Sequence, residues 1–365
     1  MVNQMFVAEG LLFQIQGYYD LLKKFEPLAI QLGDQEVLGA FYVRMGHCEF
    51  SFGFFDQAIQ SSTTAALLLA AAGNAEEAAY ANMQIGWDHL FRGDFDQTLA
   101  LEEEVVQKMG DRLHIYVRTR ALLAASLACS WLGRWDEAVG KSQAALSHAE
   151  GFSDKSQASV AASGISLNYV LKGDLKLAHR YALLAEEKAP TPIDKAVAKL
   201  SLAMVRCRGG EPRAATEDLA VFVELSRSVH HVPTELQAVC TLAEGYLLTG
   251  DFNRATQTLE ELLQLAERCG AKLHLAIAHR LLGEVALKTN PAEAAPHFEQ
   301  AISIFREIKA ENELALAYSG MGRLHKLRGE YAEARRYLTD ALEIFERLGT
   351  LIEPDKVRRE LAELE

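Results

Sequence analysis

The stretch LTGDFNRATQTLEEL, Leu248–Leu262, is one version of a phrase that this chain repeats. LGRWDEAVGKSQAAL (Leu132–Leu146) and LRGEYAEARRYLTDA (Leu327–Ala341) share its glycine and its aromatic residue three positions before an alanine. With the glycine as marker, the phrase falls at Gly17, Gly53, Gly93, Gly133, Gly173, Gly210, Gly250, Asn290 and Gly329. The spacings are 36, 40, 40, 40, 37, 40, 40 and 39. Seven positions before each marker stands a small residue: Gly10, Gly46, Gly86, Ser126, Ser166, Ala203, Ala243, Gly283 and Gly322. Five positions after it stands alanine, with Leu22 and Thr98 as exceptions. Self-similarity at a period near forty decides the fold before any local assignment.

The unit follows from backbone chemistry. The marker glycine ends one helix because glycine enters the left-handed conformation at little cost. Asn290 is predicted to substitute for it in that role. An acidic residue opens the next helix at Asp56, Asp96 and Asp136, facing its positive end. The small residues let two helix backbones approach closely, so Gly86 and Gly322 are predicted at near-contacts. A second series of breakers closes the second helix: Gly33, Gly73, Gly110, Gly151, Pro190, the HHVP stretch 230–233, Gly270, Ala310 and Gly349. Each unit is helix, tight turn, helix, loop, with helices of about 15–18 residues. No stretch alternates with period two for long enough to make a strand.

At these residues the chain resembles the tetratricopeptide repeat family. LAEGYLLTGDFNRA (Leu242–Ala255) and ISLNYVLKGDLKLA (Ile165–Ala178) carry its pattern, and Pro190 stands where the family often ends a unit with proline. The family's usual period is 34, and this chain exceeds it by about six residues per unit, a longer form similar to the repeats of kinesin light chains and of bacterial sensor arrays. The ending ALEIFERLGTLIEPDKVRRELAEL is similar to C-termini of bacterial multidomain proteins with nucleotide cyclase or signalling ATPase domains upstream. The resemblance implies an all-α, right-handed superhelical solenoid of about nine repeats over residues 1–352. Residues 353–365 are expected to form a capping helix with Val357, Leu361 and Leu364 on one face. Solenoid repeats contact their neighbours, so an elongated molecule is expected. The N-terminal stretch MFVAEGLLFQI is apolar on several sides, as if cut from a longer chain or facing a partner.

Composition narrows the function. Hydrophobic residues make up 49% and charged residues 24%, the profile of a folded soluble protein. The longest apolar run, near 65–72, is too short for a membrane helix, and the start has no basic region of a signal peptide. Five widely spaced cysteines, with no CxxC, fit buried reduced thiols and a cytoplasmic location. The net charge of −13 is spread as −10 over residues 1–110, +5 over 111–210 and −8 over 211–365, which disfavours nucleic acid as a partner. Catalytic motifs are absent, and no cofactor, metal site or enzymatic activity is expected. The aspartates of GDFDQ (93–97) are expected to serve helix ends, His230 and His231 to lie on the surface, and Cys48 to pack inward with His47 facing out.

Function is therefore placed on the concave face. In the family, positions thirteen, ten, nine, six, three and two before the marker point inward. In repeats two to four they give a candidate binding set: Arg44, His47, Phe50, Tyr80, Met83, Gln84, Trp87, Phe91, Arg120, Leu127 and Trp131. In repeats seven to nine they give a charged lining: Gln237, Glu244, Arg280, Glu284, Lys288, Arg323 and Lys326. Large aromatic and arginine side chains dominate binding energy at interfaces, although the same residues also fill gaps between helices. The expected function is a non-catalytic scaffold binding a protein or peptide in this groove, as the regulatory arm of a bacterial signalling protein. The alternative is a small-ligand sensor whose superhelix changes shape on binding.

Overall fold

Glycine turns divide the chain into helix pairs. The computed structural model describes residues 15–110 and 114–364; the Gly10 position and the apolar stretch before residue 15 lie outside them. Repeat one contributes its second helix, α1 (Ile15–Leu32). The pairs that follow are α2 (Gln35–Ser51) with α3 (Phe55–Ala71), α4 (Ala75–Arg92) with α5 (Phe95–Met109), α6 (Ile115–Trp131) with α7 (Trp135–Gly151), and α8 (Lys155–Lys172) with α9 (Leu175–Lys188). Then come α10 (Pro192–Arg208) with α11 (Pro212–Ser228), α12 (Val232–Thr249) with α13 (Phe252–Cys269), α14 (Lys272–Thr289) with α15 (Ala294–Glu307), and α16 (Glu311–Leu327) with α17 (Tyr331–Leu348). A final helix, α18 (Glu353–Ala362), packs on α17 with Pro354 and Val357 buried and Leu361 and Leu364 partly so. No strand occurs among the described residues.

The repeated small residue has a uniform role. At Gly322 a Cβ would stand 2.6 Å from Leu338 Cγ and 3.3 Å from the Ala334 carbonyl of the paired helix. Gly86 is likewise pressed against the Glu102 side chain. Where serine takes this position, its hydroxyl donates to the carbonyl of the alanine five after the marker: Ser126 to Ala138 at 2.7 Å and Ser166 to Ala178 at 2.9 Å. Where that alanine is replaced by Thr98, the hydroxyl donates back to the Gly86 carbonyl at 3.2 Å. First and second helices differ in burial. α13 buries a single stripe, Ala255, Leu259, Leu262, Ala266 and Cys269, whose four-and-three spacing marks a helix covered on one side. α6 buries residues all round, because it packs on its partner and on the first helices before and after it.

Four turns depart from the sequence expectation. Gly17 lies inside α1 and ends no helix. Asn290 is extended (φ −147°), because Pro291 pushes the residue before it out of the helical regions, and a short 3-10 turn at Pro291–Glu293 follows. In the second breaker series, Ser153 and Lys309 take the positive φ in place of Gly151 and Ala310, while His230 takes it within the expected HHVP stretch.

The expectation of contacts between neighbours alone is also corrected. α2 touches α12, α4 touches α14 and α6 touches α16, so repeat n meets repeat n+5. One superhelical turn therefore takes five repeats, and successive turns pack along a seam. The turn glycines of repeats two to five lie in it: Gly53 against Val232 and Cys269, Gly93 against Ile308 and Lys272, Gly133 against Leu348, and Gly173 against Ile352. The Leu351 amide donates to the Lys172 carbonyl at 2.9 Å across the same junction. Asp96 meets Lys309 there at 2.5 Å, so this aspartate of GDFDQ also serves the seam.

Candidate functional site

The seam divides the predicted aromatic lining. Phe50, Phe55 and Phe91 form a ring cluster with centroids 5.4–5.8 Å apart. The following turn covers it: His274 of α14 stacks on Phe91 at 6.0 Å, and His231 meets Phe50 edge-on at 6.2 Å. Met83 and Trp131 are buried in the main core, and Leu127 packs against it. Phe50 and Phe91 are thus covered by the following turn, and Met83 and Trp131 share one core cluster with Trp87.

The remaining members face one another across the inside. Trp87, 9% exposed, donates its indole N–H to the Arg120 carbonyl at 3.2 Å, and the Arg120 guanidinium lies flat over the Trp87 ring at 4.1 Å. Tyr80 stacks on Tyr116 at 6.0 Å and 18°. Arg44 is 9% exposed on α2. His47, expected to face outward, instead lies inside near His231, Arg44 and Arg120; burial first, then those three groups, take its pKa down to about 3. His231, expected on the surface, caps α12: its Nδ1 accepts the Thr234 amide at 3.3 Å, and burial with Arg120 takes its pKa down to about 4. Cys48 is packed as expected.

Gln84 is one of several buried polar side chains of these repeats, with Asp88, Glu102 and Thr119, that lack a hydrogen bond among the described residues. It is 7% exposed, yet neither its amide nitrogen nor its amide oxygen bonds any group among the described residues. Arg120 Nε is also without a partner there, and Arg120 forms no ion pair among the described residues. Buried polar atoms are nearly always satisfied, so unbonded ones at a surface that faces inward ask for a ligand.

The lining of repeats seven to nine is largely ion-paired, although Arg323 Nε and Glu360 Oε2 are buried without a hydrogen bond among the described residues. Arg208 donates from Nε and Nη2 to Glu244 at 3.1–3.4 Å, Arg280 to Glu313 at 3.1 Å, Arg323 to Glu284, and Lys326 to Glu363. Lys288 is exposed and Gln237 partly buried. A cleft of about 640 Å³ opens here, walled by Arg208, Glu244, Arg280, Arg323 and, from α18, Lys356 and Glu360. Among the described residues no cluster of three metal-ligating side chains occurs, and no helix is long and apolar enough to cross a membrane.

Sequence reasoning missed Tyr116, His231 and His274. The two histidines arrive from the following superhelical turn, and a forty-residue period carries no sign of which repeats meet after a full turn. Tyr116 precedes the inward positions of its helix.

Comparison with known proteins bears on the fold. Residues 234–307 and 289–347 match the family model described as Tetratricopeptide repeat. No curated protein sequence matches the chain. Among solved structures, the Rap conjugation gene regulator of the plasmid pLS20, in complex with the Phr peptide, aligns with a TM-score of 0.61 at 15% identity, covering 92% of this chain and 97% of that one. A Rap protein complexed with Competence and Sporulation Factor gives 0.57 at 12% identity, over 89% of this chain and 97% of its own. NprR in complex with its cognate peptide NprX gives 0.56 at 14% identity, over 86% and 98%. At such identities the likeness is one of fold. The matched residues 234–347 are tetratricopeptide repeats, and the same helix pair recurs from Gln35 onward, so the fold of the chain is that of a tetratricopeptide-repeat solenoid.

Proposed function

We propose that the protein is a non-catalytic regulatory scaffold of bacterial signalling that takes a peptide into the interior of its superhelix, against the inner faces of α2, α4 and α6. The observation that carries this reading is Gln84, a nine-tenths-buried side-chain amide with both polar atoms unbonded among the described residues. A side-chain amide presents a donor and an acceptor together, the complement of a peptide bond. Tyr80, Tyr116 and Trp87 supply the flat apolar walls that anchor side chains at interfaces. The folds that resemble this one support it further, since two of them were solved holding peptides.

The test is capture from a synthetic peptide library by wild type, Gln84→Leu and Leu183→Ser. Leu183 is 46% exposed on α9 and serves as an outer-face control. Capture should be lost with Gln84→Leu and kept with Leu183→Ser; equal capture by all three rejects the interior site. A second reading, a small-ligand sensor, draws on the cleft of about 640 Å³ beside α18, a volume suited to a small molecule. It requires a small molecule that raises the melting temperature of wild type and leaves that of Arg323→Ala unchanged.

A further inference from the structure

The groove between the second helices α1 and α3 is hollow and polar where other repeats fill it. The position four before the marker meets the position eight after it. In repeats five and nine these hold stacked rings, Tyr169 on Tyr181 at 5.8 Å and His325 on Tyr337 at 5.3 Å. In repeat six they hold an ion pair, Arg206 with Asp218 at 3.4 Å. In repeat two they hold Glu49 and Ser61, bonded at 2.6 Å, and a cleft of about 490 Å³ opens beside them. Two matched pairs line this cleft. Tyr19 of α1 donates to Glu49 of α2 at 3.3 Å, and Tyr42 of α2 donates to Glu26 of α1 at 3.2 Å. Tyr19 and Glu26 are seven residues apart, as are Tyr42 and Glu49, so the two phenol–carboxylate pairs stand about 10 Å apart along the antiparallel helices. Burial first, and then its own glutamate, raises the pKa of each phenol, that of Tyr19 to about 12, so both stay donors.

Negative charge is under-matched here. Glu49 is 2% exposed and accepts hydrogen bonds from two neutral hydroxyls, while Lys23, its one ion-pair partner among the described residues, stands off at 3.7 Å with its side chain half exposed. A buried carboxylate held in this way lacks the close cation that would offset its desolvation. Glu26 forms no ion pair among the described residues. Near Glu49 lies Asp88, fully buried with both oxygens unbonded among the described residues; burial and then Glu49 push its carboxyl well above the usual range. Lys23 shows what this corner accepts, since its ammonium lies 5.4 Å over the Tyr19 ring as well as beside Glu49. We propose that this groove, apart from the interior, is a binding site for a linear aliphatic polyamine whose ammonium groups seat on Glu49 and on Glu26. One ammonium takes the place beside Glu49 that Lys23 fills loosely, and the methylene chain spans the two helical turns to Glu26. A divalent metal ion does not fit this spacing, because one ion cannot reach both carboxylates. A short diamine reaches one of them at a time.

Spermidine, a linear triamine, is titrated into the full chain by calorimetry, with putrescine as the short diamine and magnesium as the compact dication. Spermidine should bind with one site and about ten-fold or more tightly than putrescine. Glu49→Gln and Glu26→Gln should each weaken spermidine by about ten-fold or more and bring it close to putrescine. Lys23→Gln, which removes the competing ammonium, should strengthen it. Melting curves of all three variants are compared with wild type; Glu26 is only partly buried, so its replacement tests the site even where Glu49→Gln disturbs the fold. Spermidine that does not bind, or that binds Glu26→Gln as tightly as wild type, overturns the proposal. Displacement of spermidine by an equal concentration of magnesium overturns it too, because that result marks general attraction to an acidic surface. Weaker binding by Lys23→Gln overturns the role given to that lysine. None of these outcomes bears on the peptide-binding reading of the interior.

Discussion

Gly53 and Gly250 occupy the same place in their repeats and have nearly the same backbone, φ +76° and +78°. Their surroundings differ. A Cβ on Gly53 would meet Cys269 Sγ at 2.6 Å and Val232 Cγ1 at 2.7 Å, both from the following superhelical turn. A Cβ on Gly250 would meet nothing within 4 Å. Replacement by alanine at either site costs about 1–2 kcal/mol, because a residue with a Cβ is strained in the left-handed region. At Gly53 a further penalty applies. Val232 is β-branched and stiff, and it and Cys269 are each 7% exposed, so neither side chain has room to retreat. Overpacking of this kind costs about 1–3 kcal/mol. Gly53→Ala should therefore lose about 1–3 kcal/mol more than Gly250→Ala in urea unfolding followed by far-UV circular dichroism.

The comparison isolates the seam, since the strain common to both sites cancels. Adding Val232→Ala to Gly53→Ala should recover part of the loss, with a coupling that Val232→Ala does not show beside Gly250→Ala. Equal losses at the two glycines, with no coupling, would mean that the turns of the superhelix do not touch in solution and that the interior is wider than described.

Other consequences concern the core and its buried charges. The Phe298 ring lies against both Gly283 and Gly320, so Phe298→Ala should lose about 3–5 kcal/mol, and adding Gly320→Ala should return part of it by refilling the space; strictly additive losses would refute this packing. His47, His231 and His274 are held neutral, with pKa values lowered to about 3, 4 and 4 from 6.5. Below pH 6.5 the unfolded chain binds more protons than the folded one, so stability is full above that pH and falls toward pH 4, by up to about 1.4 kcal/mol per pH unit for each histidine. Urea midpoints should drop between pH 7 and 4.5, and the drop should shrink in His274→Phe. Buried Glu102 acts with the opposite sign: its raised pKa makes stability decline as pH rises above the usual carboxylate range. Glu102→Gln should be more stable than wild type at pH 8, with the gap closing by pH 4; a variant equally stable at both values would show that this carboxyl is solvated.

The local grammar of the repeat was legible because each rule concerns residues close in sequence. A glycine that must turn left-handed, a small residue that meets the carbonyl twelve positions on, and an acid in a first turn are all settled within one unit. Gly322 against Ala334 and Ser166 bonded to Ala178 follow from that grammar. The misreading of Asn290 shows the limit of a marker taken without its neighbour, since Pro291 excludes the left-handed form assigned to it. Superhelical closure was not legible. It depends on small rotations summed over five repeats, and the sequence of one unit fixes each rotation only loosely. For that reason Phe50 and Phe91, expected on the inner face, are covered by His231 and His274. Trp87 and Trp131 were likewise expected inward, and both belong to the packed core.

Arg120 is without an ion pair among the described residues. Had stability alone shaped the inner face, Arg120 would have been paired as Arg208 is with Glu244 and Arg280 with Glu313, since a charge removed from water is costly without a partner. Arg120 instead keeps partial contact with the interior solvent and rests on an indole face, an arrangement that tolerates the charge without neutralising it. Gln84, on the preceding first helix, is left unbonded in the same lining. The two features lie on neighbouring first helices, while the other half of the interior spends its charges on itself. Under the proposed function, the largely ion-paired lining of repeats seven to nine leaves Gln84 and Arg120 of repeats three and four as the groups a ligand would meet.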